Sequence, residues 1–209
     1  MVNKIKVLNL YAGIGGNRKL WENVEVTAIE INEDIAGEYK SNFPKDEVIV
    51  TDAHEYLLRH YKEFDFIWSS PPCLTHSVLN YSMPIKRYPS ILVYQEIILL
   101  KHWFKGNWVV ENVKPYYEPL IKPTVNLGRH IFWSNFDILK KRYINVDVAR
   151  SNSEQLSKDL DLPIPRCQKA TLLLRNCVHP TMAKYIFDCA FKKKQLSLNE
   201  LKQEAKDGK

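Results

Sequence analysis

Residues 4–16 read KIKVLNLYAGIGG. Lys4 to Leu10 is a short apolar run carrying Val and Ile, and Tyr11-Ala12-Gly13-Ile14-Gly15-Gly16 closes it with a glycine turn. The pairing reads as a buried strand feeding a tight turn. Glycines there let the backbone approach a ligand at a helix N-terminus, where unpaired N–H groups favour a carboxylate or phosphate, so a helix is expected from Asn17. The same rhythm continues outward. Strands are expected at Val24 to Ile29, Val48 to Val50, Phe64 to Trp68 and Asn107 to Val110. Helices are expected at Asp34 to Asn42, Glu55 to Lys62 and Leu92 to Phe104. Alternating strands and helices predict an α/β chain built on a doubly wound, mostly parallel sheet. Three acids, Glu30, Asp52 and Glu111, fall at or just beyond the carboxyl ends of predicted strands, the edge where open α/β sheets bind ligands.

Beyond Pro123 the pattern changes. Ile131 to Leu139 reads as strand, whereas Lys140 to Arg175 is polar, carries Pro163 and Pro165, and predicts a loop-rich insertion. Thr181 to Phe191 has apolar residues at helical spacing, and Lys192 to Lys209 is a charged tail. The expected organisation is therefore 1–136 as the main domain, 137–175 as a small inserted segment, 176–191 as a helix returning to the main domain, and 192–209 as the tail.

Composition narrows the function classes. With 209 residues, 45% of them hydrophobic and 26% charged, the chain can bury a core and is not of the disordered type. Its apolar runs fall short of the roughly 20 residues a membrane helix needs, so a cytoplasmic location without a membrane partner is expected. A formal charge of +6 favours an anionic partner. Cys73, Cys167, Cys177 and Cys189 form no CxxC pair and no spacing that reads as a zinc site, so no metal is expected.

Chemistry concentrates in DFIWSSPPC, residues 65–73. Two consecutive prolines fix the loop and present Cys73, and a fixed, partly exposed thiol becomes a nucleophile when positive charge or a helix end lowers its pKa. WVVENV, residues 108–113, then places Glu111 and Asn112 on the same edge. A buried Glu111 could stay protonated and donate to a ring nitrogen. His76, in the loop after Cys73, reads as a solvated or nucleic-acid-facing histidine rather than a base.

The order LNLYAGIGG, AIEIN, SNFP, TDAHEYL, DFIWSSPPC, WVVENV and RNCVHPTMAKYI resembles that of the DNA (cytosine-5-)-methyltransferases, from Leu8 to Ile186. The resemblance implies a class I S-adenosylmethionine-dependent methyltransferase fold, S-adenosylhomocysteine as product, and double-stranded DNA whose target cytosine is flipped into the pocket. It implies that the Cys73 thiolate adds to C6 of cytosine, that Glu111 holds N3 and the exocyclic amine, that Asn112 orders the loop, and that Arg129 contacts O2. For the cofactor it implies Tyr11 over the adenine and Ala12, Gly13, Ile14, Gly15 and Gly16 around the methionine end. Glu30 would take the ribose hydroxyls, with Ile31 on one adenine face, Asp52 and Ala53 at the adenine amine, and Pro72 lining the cavity. Asn176 and Val178 match the late motif that packs on the first glycine turn. A cognate restriction endonuclease is a partner type found with this family, which occurs in bacteria, archaea and phages.

Departures are also legible. The family's paired arginines are reduced to Gly128-Arg129-His130, and residues 137–175 are short for a target-recognition segment. Less surface in the groove implies a short site of about two to four base pairs. Arg142, Arg150, Arg166, Lys169 and Arg175 supply positive charge for phosphates. Three other readings stay open: cytosine methylation in RNA, a catalytically idle binding module on the same fold, and NAD-dependent hydride transfer, which the glycine turn alone permits.

Overall fold

The computed structural model of the chain describes residues 4–77, 85, 87–141 and 150–191. Seven strands form one sheet: β1 (Ile5–Leu10), β2 (Val24–Glu30), β3 (Glu47–Val50), β4 (Phe66–Ser69), β5 (Asn107–Val113), β6 (Val125–Leu127) and β7 (His130–Ser134). The helices are α1 (Glu33–Asn42), α2 (Ala53–His60), α3 (Leu92–Trp103), α4 (Ser153–Leu160), α5 (Ala170–Asn176) and α6 (Pro180–Phe191). The spatial order is β3-β2-β1-β4-β5-β7-β6. All neighbours are parallel except β7, which runs antiparallel to both β5 and β6. This is the doubly wound, mostly parallel sheet that the sequence predicts.

The central position of β1 explains its composition. Val7 to Leu10 are all buried, because a strand covered on both faces exposes neither alternating set. Val7 joins a cluster with Trp21, Phe66, Trp68 and the α6 residues Met182, Ala183, Ile186 and Phe187. Leu8 and Leu10 join the opposite cluster with Leu57 of α2 and Val93, Ile97 and Leu100 of α3. The i, i+4 and i+7 spacing in α3 gives that helix its core face. Each such side chain contributes about 1.5–3 kcal/mol on full burial.

The helix expected from Asn17 is not formed. Consecutive turns close instead, from Gly15 N to Ala12 O, Arg18 N to Gly15 O and Trp21 N to Arg18 O, each at 3.1 Å. The Asn17 amide donates to Asn9 on β1 at 2.7 Å, and Trp21 stacks on Phe187 with ring centroids 5.3 Å apart. Those two anchors hold the short connection against the sheet and leave no room for a regular helix.

Two corrections concern the second half. The strand expected over Ile131 to Leu139 stops at Ser134, whose hydroxyl donates to Phe136 O at 2.7 Å, and it is paired with β6, which the sequence reading missed. The insertion expected to be loop-rich contains α4 and α5. Asn152 caps α4 by accepting from Gln155 N while the Gln155 side chain accepts from Asn152 N, a reciprocal capping box. Leu156, Leu160 and Leu162, with Leu174 of α5, pack around Ile14 of the glycine turn. The expected tail and Arg142 lie outside the described residues. Among the described residues, no helix is long and apolar enough to cross a membrane.

Candidate active site

Parallel register brings the strand ends to one level. Leu10 pairs with Ile29 and Ser69, and Ser69 with Val110, so Tyr11, Glu30, Ser70 and Glu111 emerge side by side. A cavity opens there. Of the residues the sequence singles out, it is lined by Tyr11, Ala12, Gly13, Ile14, Gly16, Glu30, Ile31, Pro72, Cys73, Glu111, Asn112, Arg129, Asn176 and Val178.

One end is the glycine turn. Gly13 has a left-handed φ of +55°, and nothing lies within 4 Å of where its Cβ would be, so the backbone faces open space. Its N–H donates to Glu30 Oε2 at 3.0 Å, and Asn32 N donates to Glu30 Oε1 at 3.0 Å. Each carboxylate oxygen keeps a further acceptor site. Gly16 is required for a different reason: a Cβ there would lie 2.6 Å from Cys177 Cβ and 2.8 Å from its Sγ. The late segment thus docks on the turn through Cys177, flanked by the predicted Asn176 and Val178, and burial pushes the Cys177 thiol up to about 12.

Gly15, Asp52 and Ala53 do not line the cavity. Asp52 caps α2 by accepting from Glu55 N at 2.8 Å, and Ala53 is buried in the core beneath. Gly15 combines φ +85° with a Cβ position 2.2 Å from Phe43 Cε2. Gly15→Ala is therefore expected to lower unfolding free energy by about 2–4 kcal/mol, combining left-handed strain with overpacking. A denaturant midpoint unchanged from wild type would refute that reading.

Tyr11 sits at a positive φ of 54°, and its hydroxyl donates to Glu96 Oε1 at 2.6 Å. Glu96 is fully buried, also accepts from the Ser69 hydroxyl, and lies 3.4 Å from His54 Nδ1. Burial and then the Glu96 charge hold the Tyr11 phenol far above its ordinary value, so the ring is a neutral, anchored wall. The sequence reading did not single out Glu96. Its signal was a lone carboxylate inside the apolar run ILVYQEIILL, residues 91–100.

Cys73 forms the other end. Its carbonyl accepts from His76 N at 2.9 Å and Ser77 N at 3.0 Å, which folds the loop into a turn. Asn112 Nδ2 donates to Pro71 O at 3.0 Å, which ties β5 to the Pro-Pro-Cys loop. Burial first, and then the Glu111 charge, push the Cys73 thiol up, partly offset by Arg129. The reading of His76 is corrected: it is buried, its Nδ1 lies 2.6 Å from Tyr117 Oη, and burial lowers its pKa. It pins the loop and is neither solvated nor facing a partner. Arg129 donates through Nη2 to the carbonyls of Arg175 and Cys177, the latter at 3.2 Å.

A family model for C-5 cytosine-specific DNA methylases matches residues 5–124. The chain belongs to that family. The matched residues include the glycine turn, Glu30, Cys73 and Glu111 and stop before β6. Solved structures that align with this family member include a proposed methylase of Haemophilus influenzae, with 21% identity and TM-score 0.43 over 64% of this chain and 79% of that one. A SAM-dependent methyltransferase of Agrobacterium tumefaciens aligns at 17% identity and TM-score 0.39, over 56% and 41% of the two chains. DNMT2 of Spodoptera frugiperda aligns at 28% identity and TM-score 0.39, over 53% and 36%. No curated protein matches. Methyl transfer to cytosine is thus the chemistry of the family to which this site belongs.

The rest of the cavity wall comes from residues beyond the family match. His130 is buried there with its Nδ1 2.5 Å from Glu111 Oε1. The sequence reading quoted His130 only as the neighbour of Arg129, and no local pattern distinguishes it. Of the basic residues assigned to phosphates, Arg175 donates to Ser151 O at 3.1 Å, while Arg166 and Lys169 are exposed on the surface.

Proposed function

We propose that this chain transfers a methyl group from S-adenosylmethionine to C5 of cytosine in double-stranded DNA, with Cys73 as the nucleophile. The observation that carries the reading is the meeting of Cys73 and Glu111 at one end of a cavity whose other end is the Gly13 and Glu30 turn. The residues present suit the cofactor: an open glycine backbone for its charged end, spare Glu30 acceptor sites for ribose hydroxyls, and Ile31 and Ile35 for an adenine face. S-adenosylmethionine supplies an electrophilic methyl group on a sulfonium sulfur.

The chain's own residues supply the rest. The Cys73 thiolate forms a bond to C6 of a flipped cytosine as the C5–C6 double bond opens, and a proton from Glu111 meets the charge that develops at N3. C5 takes the methyl group. Loss of the C5 proton to solvent then restores the double bond and expels Cys73 as thiolate, while the N3 proton returns to Glu111. Asn112 fixes the loop that aims the sulfur. Arg129 joins the turn before β7 to the segment after α5, and so holds the cavity closed on that side.

Target reading is assigned to residues 137–175. Leu156, Leu160 and Leu174 of that segment are occupied in covering Ile14, which leaves less of it for base edges and favours a short site. The deciding experiment is mass spectrometry of the protein with S-adenosylmethionine and 5-fluorocytosine in duplex DNA of varied context, and separately in RNA. Fluorine at C5 blocks expulsion of the thiol, so a covalent adduct with DNA is expected. An adduct with RNA alone would replace the substrate, and none with either would remove the function.

A further inference from the structure

Glu111 and His130 come from the antiparallel pair β5 and β7. The register sets Glu111 against Phe132 and Val113 against His130, which makes Glu111 and His130 diagonal neighbours on one face. Their side chains are only 9% and 6% exposed, and Nδ1 and Oε1 are 2.5 Å apart. A buried carboxylate left without a partner would be strongly disfavoured. The other titratable or charged groups around the cavity are Cys73 after β4, Arg129 before β7, Cys177 after α5, and Tyr11 and Glu30 across it. Arg129 already donates to two carbonyls, so the hydrogen-bond partner that reaches Glu111 is the imidazole.

We propose that His130 is a positioning residue that acts through Glu111: its Nδ1 fixes the carboxyl and shares a proton with it, so that Cys73 and a bound base face a neutralised pair instead of a bare carboxylate. This rests on the proposed roles of Cys73 and Glu111. The balance is simple. Before addition the pair carries one proton and no net charge. As sulfur bonds to C6, that proton passes through Glu111 to N3, leaving Glu111 ionised and His130 neutral; it returns to the pair when sulfur is expelled. The Glu111 charge is one of the causes that suppress the Cys73 thiolate, so its neutralisation also governs how readily the sulfur ionises.

The test needs no nucleic acid. The rate of Cys73 alkylation by iodoacetamide, read by mass spectrometry of its peptide, is measured at about pH 8, where thiolate fraction controls the rate. Four proteins form a cycle: wild type, His130→Asn, Glu111→Gln and the double variant. His130→Asn is expected to slow alkylation about tenfold, equal to one pKa unit, and to have no effect once Glu111 is Gln. An equal slowing in both backgrounds would mean that His130 acts on packing alone, and no slowing would mean that it does not act on the carboxyl; either overturns the proposal. His130→Gln, which keeps a donor but carries no titrating proton, should be slowed as well. Wild-type reactivity in that variant would overturn proton sharing, and it also serves if the Asn variant does not give a cooperative thermal melt. Absence of any 5-fluorocytosine adduct would defeat the proposed function while leaving the alkylation cycle readable.

Discussion

Cys73→Ala is expected to form no covalent adduct with 5-fluorocytosine DNA and to lose turnover by at least about 10⁴-fold, the scale seen when a covalent nucleophile is deleted. The change removes only a sulfur from a half-buried loop residue whose turn is held by backbone hydrogen bonds to His76 and Ser77. Binding of S-adenosylhomocysteine, followed by calorimetry, should therefore persist, and its loss would signal a collapsed site instead of a missing nucleophile. Cys177 also reaches the cavity, but burial suppresses its thiolate and it packs on Gly16, so it is not expected to substitute. An adduct retained in Cys73→Ala would move the role elsewhere. Because burial and Glu111 push the Cys73 thiol up, its thiolate fraction in the free protein is low at neutral pH and increases with pH. Cys73 should then be alkylated more slowly at neutral pH than the exposed Cys167.

Glu111→Gln is expected to separate two properties that normally change together. Methyl transfer should fall by about 10²–10⁴-fold, the range for loss of a general acid, because an amide cannot give N3 a proton. The Cys73 thiol should be alkylated by iodoacetamide at least as fast as in wild type, because no bare carboxylate can then oppose its ionisation. An undiminished nucleophile with lost turnover would be hard to explain by unfolding. If both quantities dropped together, or if S-adenosylhomocysteine affinity was lost, Glu111 would belong to a different part of the site than the one assigned.

The parallel half of the sheet was legible because its strands are short apolar runs and three of them, β2, β3 and β4, lead into helices. The same regularity placed Glu30, Cys73 and Glu111 on one edge, since residues that end parallel strands in register must emerge together. What could not be read depends on non-local geometry. His130 reaches Glu111 only through the register of β5 with β7, and nothing in Gly128-Arg129-His130 encodes that pairing. Asp52 sits just beyond a strand end as expected and caps α2 through one carboxylate oxygen; a carboxylate before a helix suits either role. The late motif was recognised through Asn176 and Val178, but the contact that demands glycine at position 16 is made by Cys177 between them. The helix α4 had a signal in Asn152 and Gln155 that the prolines nearby obscured, whereas the three residues of β6 were too few to show a period.

The docking of Cys177 on Gly16, with Phe187 stacked on Trp21, has a consequence for biosynthesis. The opening turn of the chain cannot reach its final packing until residues far downstream have left the ribosome, so β1 to β5 emerge with one face of the sheet bare and the pocket roofless. A chain cut before Cys177 and α6 would hold Cys73 and Glu111 while its glycine turn lacked the contacts that Cys177 and Phe187 make with Gly16 and Trp21, so the first loop is completed only by a helix made much later.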